Sequence, residues 1–144
     1  MATDRTASAV WQGDLKNGSG TIAPVGSGAF GPLDVSWAAR TEEPNGKTSP
    51  EELIAAAWAS CFAMALSNGL AKAGNPPEQL ETSATVTFQP GEGIIRGALT
   101  VRGTVPTLDA AGFQAAAEDA KQNCPVSKAL SGIPDVSLDA QLAS

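Results

Sequence analysis

Ser49-Pro50-Glu51-Glu52-Leu53-Ile54-Ala55-Ala56-Ala57 decides how this chain folds. Ser49 is placed to cap a helix. Pro50 suits its first position, where no backbone N–H is needed, and Glu52 can close a capping box. No charge follows between Leu53 and Ala71, and the alanines of that interval favour helix and let another helix approach closely. The helix is predicted from Pro50 to about Lys72, ending at Gly74, with Pro76-Pro77 forbidding continuation. Its strongly apolar part ends near Leu66, short of the roughly 20 residues that span a bilayer. It therefore reads as a helix buried on most sides inside the protein.

Outward from this helix the pattern changes period. On the N-terminal side, Thr6 to Gln12 alternates weakly, Gly13-Asp14 turns, and Leu15 to Pro24 answers as a hairpin partner. Leu33 to Trp37 reads as a further short strand, and Glu42 to Thr48, with Pro44-Asn45-Gly46, as a loop. On the C-terminal side, Leu80, Thr82, Ala84, Val86 and Phe88 alternate with polar residues as a half-buried strand. Ile95 to Val105 returns, with Ile95, Leu99, Val101 and Val105 on one face. Asp109 to Gln122 carries a helical stripe of Phe113, Ala116, Ala117 and Ala120; Pro125 to Leu130 is a short helical piece, and Val136 to Leu142 alternates as a closing strand. This order gives an α+β fold, read as one domain over residues 1–144.

Composition narrows the function. The chain has 42% hydrophobic and 17% charged residues, a thin charged shell that suggests part of the surface is covered by a partner chain. The net charge of −6, with no basic run, argues against nucleic acid and anionic membrane as partners. Met1 to Val10 has no apolar signal core. A cytoplasmic location is expected, where a stable structural disulfide is not.

Histidine and tyrosine are absent, which removes the usual general base, the usual metal ligand and the phenolic acids. The two cysteines remain, Cys61 and Cys124. Cys61 reads either as a small core hydrophobe or as a nucleophile, and the second needs a cation from elsewhere in the fold to stabilise its thiolate. Cys124, before Pro125, reads either as a simple helix boundary or as an N-cap thiol made more acidic by the helix dipole. Two thiols without histidine make a poor zinc site. Arg40 before a polar loop and Glu51 in the first helical turn are the other candidates, each also readable as a solvated or dipole-complementing side chain.

Ser49 to Ala57, followed by Ser60-Cys61-Phe62-Ala63-Met64-Ala65-Leu66-Ser67, closely resembles the OsmC/Ohr family (osmotically inducible protein C and organic hydroperoxide resistance protein). So does Ala120-Lys121-Gln122-Asn123-Cys124-Pro125-Val126-Ser127. Val10-Trp11-Gln12-Gly13-Asp14-Leu15 and Gly18-Ser19-Gly20-Thr21 resemble the OsmC branch. The resemblance implies an intertwined homodimer with antiparallel sheets wrapped around long central helices. It implies a thiol peroxidase acting on organic hydroperoxides, with Cys61 peroxidatic, Cys124 resolving, and Arg40 and Glu51 poising thiolate and peroxide. The reductant it implies is a dithiol, a lipoylated protein rather than thioredoxin; it implies no cofactor and no metal.

Three expectations accompany it. Glu51 and Cys61 stand ten positions apart on one helix, a rise of about 15 Å, so a shared site would draw Glu51 from the second subunit. Trp58, where many OsmC sequences carry histidine, is expected to reshape the substrate channel. Trp58, Phe62 and Ile54 are expected to surround Cys61 with apolar surface that favours an alkyl hydroperoxide over hydrogen peroxide. A redox sensor with slow turnover, a non-enzymatic binding module with Cys61 as packing, and a structural stress protein are the competing readings.

Overall fold

The computed structural model describes residues 1–143, which fall into two compact units, Met1–Leu53 and the chain from Ile54 onward. In the first unit, β1 (Ala9–Gln12), β2 (Ser19–Ile22) and β3 (Leu33–Val35) form an antiparallel sheet in the order β1-β2-β3. The strand expected over 33–37 stops at Val35. Ser36 turns extended and its Oγ accepts from the Ala39 N–H at 3.1 Å, which starts a short helix, α1 (Trp37–Thr41). Arg40 lies in the last turn of that helix, directly before the polar loop that the sequence predicts.

Helix α2 (Pro50–Lys72) has the predicted bounds. Ser49 Oγ accepts from the Glu52 N–H at 3.2 Å, but the Glu52 carboxylate takes its hydrogen bond from Thr48 Oγ1 at 2.8 Å, so only half of the expected capping box is made this way. At the other end Gly74 has φ +88°, Asn75 N–H reaches Leu70 O at 2.8 Å and Gly74 N–H reaches Ala71 O at 3.0 Å. This is a Schellman end, which needs the left-handed residue that glycine supplies without strain.

In the second unit, β4 (Gln79–Gln89) and β5 (Gly93–Thr104) form an antiparallel hairpin with a bulge between Thr87 and Phe88. Helices α3 (Ala110–Asn123) and α4 (Pro125–Ala129) follow, then β6 (Asp135–Ala143). β6 runs parallel to β5, so this sheet is mixed rather than wholly antiparallel. The helical crossover through α3 and α4 is what lets the chain return in the same direction.

The core is Trp58, Phe62, Leu66 and Leu70 of α2 against Leu99, Val101, Phe113, Ala117, Ala120 and Cys124. The α2 residues recur every four positions and form one stripe. The opposite stripe, Ala56, Ser60, Met64 and Asn68, is exposed, with Met64 at 72%. α2 is thus buried along one face only within the chain, not on most sides. Long and apolar enough to pass the length test for a membrane span, it instead packs its large side chains into the protein core.

Candidate active site

The four residues singled out by sequence form two pairs, one in each unit. In the first unit, Arg40 and Glu51 meet in a bidentate ion pair. Arg40 Nε donates to Glu51 Oε1 and Oε2 at 2.9 and 3.2 Å, and Nη2 donates to Oε2 at 2.8 Å. The fork of the guanidinium matches the carboxylate, which fixes orientation as well as charge. Glu51 is buried at 6% exposure, while the Arg40 side chain keeps 30%. The Arg40 guanidinium also lies 5.9 Å from the Trp37 ring centroid, within cation–π range. Trp11, Leu15, Val35, Trp37 and Pro50 join Arg40 around a largely apolar pocket of about 350 Å³.

In the second unit, Cys61 and Cys124 are both free thiols with sulfurs 3.0 Å apart. That separation is a proton-sharing contact rather than a disulfide, whose sulfurs stand about 2.05 Å apart. Cys61 is partly exposed; Cys124 is wholly buried. The predicted N-cap position of Cys124 is present, with Pro125 in the first turn of α4. As a neutral thiol it makes no side-chain capping bond.

The two thiols titrate as a pair. Burial pushes the Cys61 thiol up, and hydrogen bonding to Cys124 pushes it further. Burial also opposes charge on Cys124, but the hydrogen bond from Cys61 outweighs it together with the Ser127 N–H, the Ser127 hydroxyl and the Val126 N–H, so Cys124 is held below the ordinary thiol value. None of the groups that set the Cys61 thiol here is a cation.

Two features differ from expectation. Trp58 is 1% exposed and Phe62 fully buried, so neither lines a channel to Cys61; both belong to the core because α2 turns that stripe onto the sheet. The indole fits because Gly97 faces it: a Cβ at Gly97 would stand 2.5 Å from the Trp58 ring. Sequence reasoning also missed Ser127, whose Oγ accepts from Trp58 Nε1–H at 2.8 Å. The available signal was general: a buried indole N–H wants an acceptor. A second tie, from Thr82 Oγ1 to the Ala59 carbonyl at 3.0 Å, holds α2 to β4 two residues before Cys61.

The family profile described as OsmC-like protein matches residues 43–139. The chain is 39% identical to Peroxiredoxin OsmC of Escherichia coli (strain K12) over 147 aligned positions, covering all of both chains. The crystal structure of the organic hydroperoxide resistance protein OhrB of Bacillus subtilis is similar at 25% identity and TM-score 0.62, covering 96% of this chain and 98% of that one. An OsmC-like protein from Mycoplasma pneumoniae shares the fold, with TM-score 0.73 at 14% identity and full coverage of both chains. The chain belongs to the OsmC family, and its class of activity is peroxidase.

Proposed function

We propose that this protein reduces organic hydroperoxides to alcohols, with Cys61 as the attacking thiolate and Cys124 as the resolving thiol. The observation that carries this reading is the cysteine pair itself: sulfurs 3.0 Å apart, one partly exposed and one wholly buried. Access decides the order. A peroxide from solvent can reach Cys61 and cannot reach Cys124.

The Cys61 thiolate attacks the distal peroxide oxygen. The O–O bond breaks, the alkoxide leaves and takes a proton to become the alcohol, and Cys61 becomes a sulfenic acid. Cys124 thiolate then attacks that sulfur, forming the disulfide and releasing hydroxide. An external dithiol returns both cysteines to thiols by two exchange steps.

Cys61 is raised within its own unit, so it needs a cation to ionise at neutral pH. Arg40 is the residue we assign, held in orientation by Glu51. Glu51 and Cys61 stand ten positions apart on one continuous helix, about 15 Å of rise. The pair that serves Cys61 is therefore Arg40 and Glu51 of the partner subunit in an intertwined homodimer. The uncovered stripe of α2, small residues with Met64 at its centre, supports such a dimer, as does the thin charged shell.

Residues 1–144 act as a single OsmC-like domain, which the full-length match to the Escherichia coli relative supports. The substrate is an organic hydroperoxide, an assignment supported by the apolar walls around Arg40 and by the printed names of the hydroperoxide-resistance relatives. Each methylene buried there contributes about 0.8 kcal/mol, which hydrogen peroxide cannot gain. The reductant is a lipoylated protein, and the protein is soluble and cytoplasmic.

Stopped-flow reaction of the reduced protein with cumene hydroperoxide, beside hydrogen peroxide, tests the proposal. Rapid loss of two thiols per chain, faster with the organic peroxide and absent in Cys61→Ser, supports it. Persistence of both thiols through excess peroxide overturns it.

A further inference from the structure

The apolar pocket beside Arg40 lies wholly within the first unit, and one row of the first sheet builds part of its wall. Trp11 of β1 pairs with Gly20 of β2, and Gly20 pairs with Val35 of β3. Because Gly20 has no side chain, Trp11 and Val35 close over it. A Cβ at Gly20 would stand 2.6 Å from the Trp11 ring and 2.9 Å from a Val35 methyl. An aromatic ring laid across a strand glycine fills the space that the missing side chain leaves.

The indole is fixed at its nitrogen as well. Trp11 Nε1–H donates to the Gly13 carbonyl at 3.0 Å, and a Cβ at Gly18 would stand 3.0 Å from the same nitrogen. Both rings of the indole are thus held against the β1–β2 hairpin, yet Trp11 keeps 42% of its surface exposed. Such a side chain presents a large apolar face and has little freedom left to lose when something binds to it.

The rest of the lining decides what that something is. Ser36 Oγ is committed to the Ala39 N–H, and the Trp37 ring is engaged by the Arg40 guanidinium at 5.9 Å. Arg40 therefore supplies the charge of the pocket, and Trp11 is the aromatic wall opposite in chemistry to it. A matching molecule has an electron-rich oxygen end and a hydrocarbon end only a few atoms apart. The volume of about 350 Å³ is near the lower end of the roughly 300–1,000 Å³ of small-ligand sites, which suits a single ring.

We propose that Trp11 is a specificity-determining residue, whose indole face receives the hydrocarbon end of the hydroperoxide and favours an aryl group over a compact alkyl group. The proposal rests on the organic-hydroperoxide reading for its place in catalysis, with Arg40 at the peroxide end and Trp11 at the tail. An aryl tail gains ring-to-ring contact beyond burial, a branched alkyl tail gains burial alone, and hydrogen peroxide gains neither. Selection of this kind shows in the ratio of rate constants between substrates rather than in any one of them.

The experiment has two parts. Stopped-flow rate constants for Cys61 oxidation are measured with cumene, tert-butyl and hydrogen peroxides in the parent, Trp11→Ala and Trp11→Phe. With alanine, the ratio of the cumene constant to the hydrogen peroxide constant should fall by about tenfold, and the tert-butyl ratio by less. Phenylalanine should restore most of the cumene ratio. Equal slowing with all three peroxides overturns the proposal, because the indole would then act on the structure alone. A change of oligomeric state in Trp11→Ala also overturns it, because the indole face would then belong to a subunit contact. In the Cys61→Ser protein, cumyl alcohol and tert-butanol are titrated while the indole N–H resonances of Trp11 and Trp37 are followed by NMR. A saturable shift, tighter for cumyl alcohol and weakened by Trp11→Ala as read at Trp37, supports the assignment, and no shift overturns it. If no protein consumes any peroxide, the peroxidase reading fails while this titration still decides what the pocket binds.

Discussion

The sulfurs of Cys61 and Cys124 lie 3.0 Å apart although 63 positions separate them in the chain. The contact brings a residue from the middle of the longest helix to one at the start of the shortest of the second unit. Exchange of the shared proton for a covalent bond requires the sulfurs to close by about 1 Å, measured against an ordinary disulfide.

Removing either thiol should therefore separate the two steps. Cys61→Ser should abolish peroxide consumption. Cys124→Ser should retain one fast event per chain and then stop, with a sulfenic acid that dimedone traps and mass spectrometry counts. A Cys124→Ser protein that turns over with dihydrolipoamide at the parent rate would remove Cys124 from the cycle.

The Arg40–Glu51 pair predicts a coupled loss. Arg40→Ala strands a buried carboxylate, and Glu51→Gln loosens the guanidinium. Because Arg40 is partly exposed, the destabilisation expected for Arg40→Ala is about 1–3 kcal/mol, below that of a fully buried pair. Urea unfolding reads this term. The Cys61 thiolate fraction at neutral pH should fall by at most about tenfold for each one-unit rise of its thiol, slowing oxidation by about threefold once the gain in nucleophilicity is counted, and Arg40→Lys should not restore it, since an ammonium lacks the bidentate fork.

Disrupting the exposed stripe of α2 should break the proposed dimer. Met64→Glu places like charges on two facing helices if the stripe is the subunit contact. Light scattering after size exclusion should give a dimer for the parent and a monomer for the variant, and the monomer should lose peroxidase activity with Arg40, Glu51 and both cysteines intact. A variant that stays dimeric and active would assign this face to something else.

Gly97→Ala tests the core beneath the site. Its Cβ would stand 2.5 Å from the Trp58 ring, where the indole, sealed in the core, has no room to withdraw. Overpacking of this kind costs about 1–3 kcal/mol, which a chemical denaturation midpoint reads directly.

The thiols also give stability a pH dependence with opposing signs. Cys124 is lowered on folding, so its contribution is present above the unfolded thiol value and is lost as pH falls through its folded value. Cys61 is raised, so its contribution is present below the unfolded value and is lost as pH rises through its folded value. The two act in opposite directions across the thiol range, and the unfolding midpoint measured against pH reads their balance. With Cys124→Ser the Cys61 thiol remains raised by burial, so stability should fall as pH rises through its folded value.

Local chemistry made much of this fold legible. Ser49-Pro50 started α2, Gly74 ended it, and period-two alternation located β4, β5 and β6. What escaped were properties that local pattern does not encode. Alternation gives the face of a strand but not its direction, so the parallel pairing of β6 was invisible. The five-residue helix α1 was too short for a periodic signal, although Ser36 is a good cap. The two cysteines stood out by type and position, whereas Arg40 and Glu51 were singled out by the family resemblance. Neither pairing stood out, because a salt bridge across a loop and a sulfur contact across a domain depend on tertiary packing. The Trp58–Ser127 bond, across 69 positions, was hidden for the same reason.

That bond has one property that a histidine in the same place would lack: it has no protonation state to lose. An imidazole would exchange donor for acceptor, or gain a charge, near pH 6.5. The indole does neither, and the chain contains no histidine. The tie between α2 and α4 is thereby insulated from a fall in pH through the range where an imidazole titrates.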